Sequence, residues 1–189
     1  MFAVRRFAAP CAGALATAHL ARCDETLVRI PSTLTLKSAG QIAEGALAEA
    51  QKHKLHPLAV VVLDAGGHEV LVLREDGCGV LRTDIARGKA YASLSMGMNS
   101  RQIRDRLKDR PTFVGALSDV SHGRFVPVPG GVLIIDQVTN HAIGAVGVSG
   151  DTSDKDEMVA IVSINQLAGL KSSPSAPSQS WLSSSLGGH

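Results

Sequence analysis

The sequence predicts an α+β domain between residues 34 and 170, with an antiparallel sheet built from two hairpins and flanked by helices. Two observations carry that reading. The apolar runs Leu58–Leu63 and Val132–Asp136 are each followed, after a short turn-rich link, by a second run, Glu69–Arg74 and Ala142–Val148. Short links between strands are hairpin signals, and hairpins demand antiparallel pairing. Stretches of helical period precede, separate and follow the two pairs. The order helix, hairpin, helices, hairpin, helix excludes a doubly wound dinucleotide fold.

Each element has a local cause. Thr35 is placed to cap a helix whose Ala39, Ile42, Ala43, Ala46, Leu47 and Ala50 repeat at the spacing of one buried stripe. Pro57 ends it, since proline restricts the residue before it. Leu58–Leu63 is continuously apolar, as in a strand covered on both faces. Asp64-Ala-Gly-Gly-His68 turns the chain into Glu69–Arg74. Two helices follow: Thr83–Met96, ending at Gly97, then one capped by Asn99 and Ser100 that runs to Asp109, just before Pro111. Residues Phe113–His122 read as a short helix or loop. Gly130-Gly131 opens the next strand, Gln137–His141 turns it, and Gly150–Ser153 leads into a last helix, Asp154–Ala168. Ser153 with Asp156 resembles a weak capping box. No internal repeat is apparent.

Composition narrows the function classes. One Trp, one Tyr and four Phe leave a core of Ala, Val, Leu and Ile, and so lean a core favours further burial by homo-oligomerisation. A net charge of +2 points to no polyanion, and the Arg101–Arg110 cluster, interrupted by Asp105 and Asp109, reads as a solvated helix face rather than a nucleic-acid surface. Cys11, Cys23 and Cys78 lack metal-ligand spacing. No run approaches the ~20 apolar residues of a membrane span.

Both ends differ from the middle. Residues 1–33 begin with a stretch to Cys23 that holds Arg5, Arg6 and Arg22 and no acid, the bias of an organellar, for example mitochondrial, transit peptide. A secretory signal is the competing reading. Residues 171–189 are rich in Ser, Pro and Gly and read as a disordered tail, in which Trp181, Leu182 and Leu186 are potential docking anchors.

Three constellations carry candidate chemistry. The turn Asp64–His68 offers glycines, Gly67 among them, that let a backbone approach a ligand, and a histidine that ligates metal or moves protons. Arg74 and Asp76, with Lys89 and Tyr91 on the following helix, either converge on a carboxylate or phosphate or pair internally: Arg74 with Asp76, Lys89 with Asp84 or Glu75. Gly147–Asp151 enters a helix start, but Asp151, Asp154, Asp156 and Glu157 argue against a phosphate cradle there. Neither a Walker pattern nor a GxSxG elbow is present.

These residues together resemble a known family. Asp64-Ala-Gly-Gly-His68, Arg74-x-Asp76-Gly77, Ile85-Ala86-x-x-Lys89-Ala90-Tyr91, Gly130-Gly131-Val132 and Ile143–Gly150 with Asp156-Glu157 are similar, in this order, to the GlcG/HbpS (DUF336) family, which includes the C-terminal domain of PduO-type proteins. The resemblance implies dimers or larger rings, haem or a related tetrapyrrole as ligand, and His68, possessing an imidazole, as the iron ligand. It places Gly67, Arg74, Asp76, Lys89, Gly131, Gly150, Asp156 and Glu157 at motif positions. His53 and His56 are alternative axial candidates. Ala92 and Leu133 depart from the family's usual threonine and proline. Two other readings stand beside haem binding. One is acid–base catalysis on a small carboxylic acid, with Arg74 or Lys89 holding the carboxylate and His68 or Glu157 moving the proton. The other is a structural subunit of an organellar assembly.

Overall fold

The computed structural model describes residues 31–174. Helix α1 (Leu36–Lys52) starts at Thr35, whose Oγ1 accepts from Ser38 N at 3.1 Å, and it buries the expected alanine and isoleucine stripe. Strands β1 (Ala59–Asp64) and β2 (Glu69–Arg74) form the first hairpin, and β3 (Gly131–Asp136) and β4 (Ala142–Ser149) the second. Between them lie α2 (Arg82–Met96), α3 (Ser100–Leu107) and α4 (Pro111–Val120); α5 (Ser153–Asn165) and β5 (Leu170–Ser172) follow. The sheet is antiparallel throughout, in the order β2-β1-β4-β3-β5.

Strand alternation sends Val60, Val62, Val132, Ile134, Val146 and Val148 to one face, under α1 and α5. Val61, Leu63, Leu133 and Ala145 face α2. On the α2 face, Gly131 and Gly147 are cross-strand partners. A Cβ on Gly147 would lie 1.9 Å from Ala86 O, and one on Gly131 2.2 Å from Lys89 O. The paired glycines form a trough in which the α2 backbone rests on the sheet, and Ala86 and Ala90 keep the helix side equally thin.

One open reading is decided and three expectations need correction. The stretch read as short helix or loop is helical as far as Val120, in a helix that begins at Pro111; proline at the first helical position lacks only an N–H that would be unpaired anyway. The chain does not leave the domain at 171, because β5 pairs Leu170–Ser172 with β3. Ser173 N then donates to Leu133 O. The Ser153–Asp156 capping box does not form. Thr152 is the cap position, and Asp156 accepts from Asp151 N (3.1 Å) and Lys89. Helix α5 stops at Asn165 rather than Ala168, ahead of Gly169 at φ +82°. The proposed targeting stretch, Cys11, Cys23 and Trp181 lie outside the described residues.

The two hairpins share a turn design that their sequences conceal. In each, an aspartate closes the first strand and a histidine opens the return. Asp64 N donates to His68 O (2.9 Å), and Asp136 N to His141 O (3.0 Å). Both carboxylates also accept turn amides: Asp64 from Gly66 and His68, Asp136 from Thr139. Because Asp64 pairs with Gly144 across β1 and β4, both turns lie at the same end of the sheet.

Candidate functional site

At that end, Asp64 Oδ1 takes the amides of Gly66 (2.8 Å) and His68 (2.9 Å), and the His68 ring places Nδ1 3.3 Å from the same oxygen. The imidazole folds back over Gly66, where a Cβ would lie 2.9 Å from the ring. Gly67, at φ +80°, rests against Tyr91 of α2, and the Arg124 guanidinium lies 4.5 Å above the Tyr91 ring. The His68 side chain is 83% exposed. A carboxylate beside Nδ1 favours the tautomer that carries its proton there, which leaves the Nε2 lone pair as the donor for a metal. Arg124, on the loop after α4, carries no motif signal and was not a sequence candidate.

Partial burial pushes the Asp64 carboxyl up, but the His68 and Gly66 amides and the His68 ring outweigh it and hold it below the usual aspartate range. With the folded value below the unfolded one, the turn's stabilisation is complete above the ordinary aspartate value of about 3.9 and drains as pH falls through the lower folded value. An NMR titration should therefore place the Asp64 carboxyl midpoint below that of an unstructured aspartate. A midpoint at or above it contradicts the turn geometry.

The remaining candidates lie elsewhere. Arg74 pairs with Ala59 and so sits at the far end of β2 from His68, roughly 20 Å away at the rise of a strand. Its Nη1 donates to Cys78 O (3.2 Å), not to Asp76, which is exposed. Lys89 is buried on Asp156 (2.8 Å) and Val148 O (2.9 Å), not on Asp84 or Glu75. Burial lowers the Lys89 ammonium and raises the Asp156 carboxyl, and their mutual attraction opposes both. Arg101, expected on a solvated face, is buried: its Nε reaches Glu157 Oε2 at 2.5 Å, and it also pairs with Asp154. Burial raises the Glu157 carboxyl against the pull of Arg101, and Glu157 Oε1 has no partner among the described residues.

The motif glycines also have a packing role. Gly131 is covered by the Lys89 backbone, and a Cβ on Gly150 would lie 2.4 Å from Pro57 O. His53 bonds Glu49 (3.1 Å), and His56 donates its amide to Asp151; both precede β1, at the end of the sheet away from His68. Position 92 is buried against Ile103 and Phe125, so alanine there fills core rather than facing the turn. His68 therefore shares no site within one chain with Arg74, Lys89 or Glu157, and an acid–base arrangement that pairs His68 with either cation is not formed. Lys89 and Glu157 do act on one another electrostatically, but each is buried on its own partner, Asp156 and Arg101.

Comparison with known proteins agrees with the motif order. The family model "Haem degrading protein HbpS-like" matches residues 34–165. The chain belongs to this family. A relative from Citrobacter freundii, an uncharacterized 15.0 kDa protein of the dhaT–dhaS intergenic region, is 32% identical over 129 residues, 68% of this chain and 88% of that protein. The crystal structure of HbpS superposes with a TM-score of 0.63 at 27% identity, covering 79% of this chain and 99% of HbpS. PduOC, solved as a haem complex, superposes with a TM-score of 0.63 at 23% identity, over 71% of this chain and 95% of that one, and so shares the fold.

Proposed function

We propose that this HbpS-like protein binds haem or a related tetrapyrrole at the His68 turn and works as a homo-oligomer. The observation that carries the reading is the exposed imidazole: the His68 ring stands on the turn with Nδ1 3.3 Å from the Asp64 carboxylate, which leaves Nε2 as the nitrogen for an iron. The surrounding groups suit the ligand. Arg124 offers a cation for a propionate, Tyr91 an aromatic face, and Gly67 a backbone without a side chain in the way. Haem, when bound, supplies an iron that accepts an imidazole nitrogen. The protein's own part is to orient that nitrogen and to pair the acidic edge of the ring. A haem complex of a protein with this fold supports the choice of ligand.

A flat ligand on an open surface leaves one side in water. On the same face α2 is the helix that packs on the sheet, and Val72, Tyr91, Leu94 and Ile135 are only half-buried. A second copy of the chain is the natural cover for both. Titration with hemin should give a shifted Soret band saturating at one hemin per chain. His68→Ala should abolish the shift, and Asp64→Ala, which removes the orienting carboxylate, should weaken binding about 10–100-fold. An unchanged shift in His68→Ala rules out this site.

A further inference from the structure

The start of α4 and the end of α3 enclose an apolar groove of about 280 Å³, lined by Leu107, Pro111, Val114 and Pro127 and rimmed by Arg104 and Lys108. The chain passes beside it. Asn99 Nδ2 donates to Ser173 O (3.0 Å) and Gln102 Nε2 to Pro174 O (3.1 Å), so the last described residues lie against the start of α3. Gln102 to Lys108 is about 9 Å along a helix axis. Residues 175–181 reach up to ~23 Å when extended. Beyond Pro174 the large apolar side chains are Trp181, Leu182 and Leu186, and there is no Asp, Glu, Lys or Arg.

We propose that Trp181 and Leu182 of the same chain dock in this groove and tie the C-terminal stretch across α3 and α4. Arg104 pairs with Asp105 and Lys108 lies 4.0 Å from Asp109, both exposed pairs, and the stretch after Pro174 adds no Asp or Glu side chain, so the two cations remain able to meet the indole against its aromatic face. The apolar floor takes the leucine. This inference is independent of the haem site, which lies on the first hairpin and α2.

Trp181 is the chain's one tryptophan, so the intrinsic fluorescence of the intact protein reports on it alone. Docking predicts emission to the blue of a free peptide of residues 175–189, reduced acrylamide quenching, and no change on dilution. Leu182→Ser, outside the folded domain, should shift the emission red. So should Lys108→Glu, at an exposed position that does not test the fold, and Val114→Glu, inside the groove. Peptide-like emission in the wild type overturns the proposal, as does blue emission that the groove variants leave unchanged. A red shift on dilution also overturns it, because a second copy would then supply the tail.

Discussion

Asp156→Ala should destabilise the fold by about 3–5 kcal/mol, the range for removing one partner of a buried ion pair. The Lys89 and Asp156 side chains are 2% and 1% exposed. Without the carboxylate, the ammonium keeps only Val148 O, in a space left open by Gly130, where a Cβ would lie 2.8 Å from Nζ. Asp156 also accepts the Asp151 amide, which leads the chain into α5, so the loss reaches the helix start. Lys89→Met alone should cost a similar amount, because it strands the carboxylate. The double variant Lys89→Met/Asp156→Leu should recover much of the loss, since an apolar pair of similar volume carries no charge to bury. Urea unfolding of the four proteins gives the cycle. A single-variant cost below about 1 kcal/mol, the range of exposed pairs, contradicts a buried pair.

Gly147→Ala should cost about 3 kcal/mol or more, at or beyond the upper end for overpacking. The added methyl would sit 1.9 Å from Ala86 O and 2.8 Å from Ala86 C, both backbone atoms, so no side chain can turn away to make room. The whole of α2 must lift from the sheet, and with it Tyr91, which backs the His68 turn. Gly131→Ala meets Lys89 O in the same way. Gly40→Ala, on α1 with nothing within 4 Å of the new methyl, is the contrast: it should stabilise by about 0.5–1 kcal/mol through helix propensity. Thermal unfolding separates the cases. A tolerated Gly147→Ala contradicts the close seating of α2.

The sheet was legible because its apolar runs come in pairs joined by short turns that follow local rules, and α1 because Thr35 and its alanine stripe agree. What escaped was set by tertiary neighbours. Pro111 reads equally as the stop of one helix and the first residue of the next, and only the chain's continuation decides. Three residues of β5 carry no pattern; they are held by backbone pairing to the edge of β3. Lys89 finds Asp156 67 residues away, passing over the nearer Asp84 and Glu75. Arg101 looks like part of a solvated run, yet its place in the first turn of α3 faces α5. Gly131 and Gly147 look like ligand contacts in a motif, but their missing side chains make room for a helix. Of the candidate site, Asp64, Gly67, His68 and Tyr91 could be read from the sequence. Arg124 could not, because its approach to Tyr91 depends on the path of the loop after α4.

The proposed haem site is tested most directly by where a bound ferric iron broadens amide resonances. With hemin added to isotope-labelled protein, the signals of Gly66, Gly67, His68 and Tyr91 should fade first, while those of His56, Arg74 and Asp76, at the opposite end of the sheet, persist. Loss centred on His56 and Arg74, or an unchanged spectrum at saturating hemin, contradicts the assignment of the His68 turn.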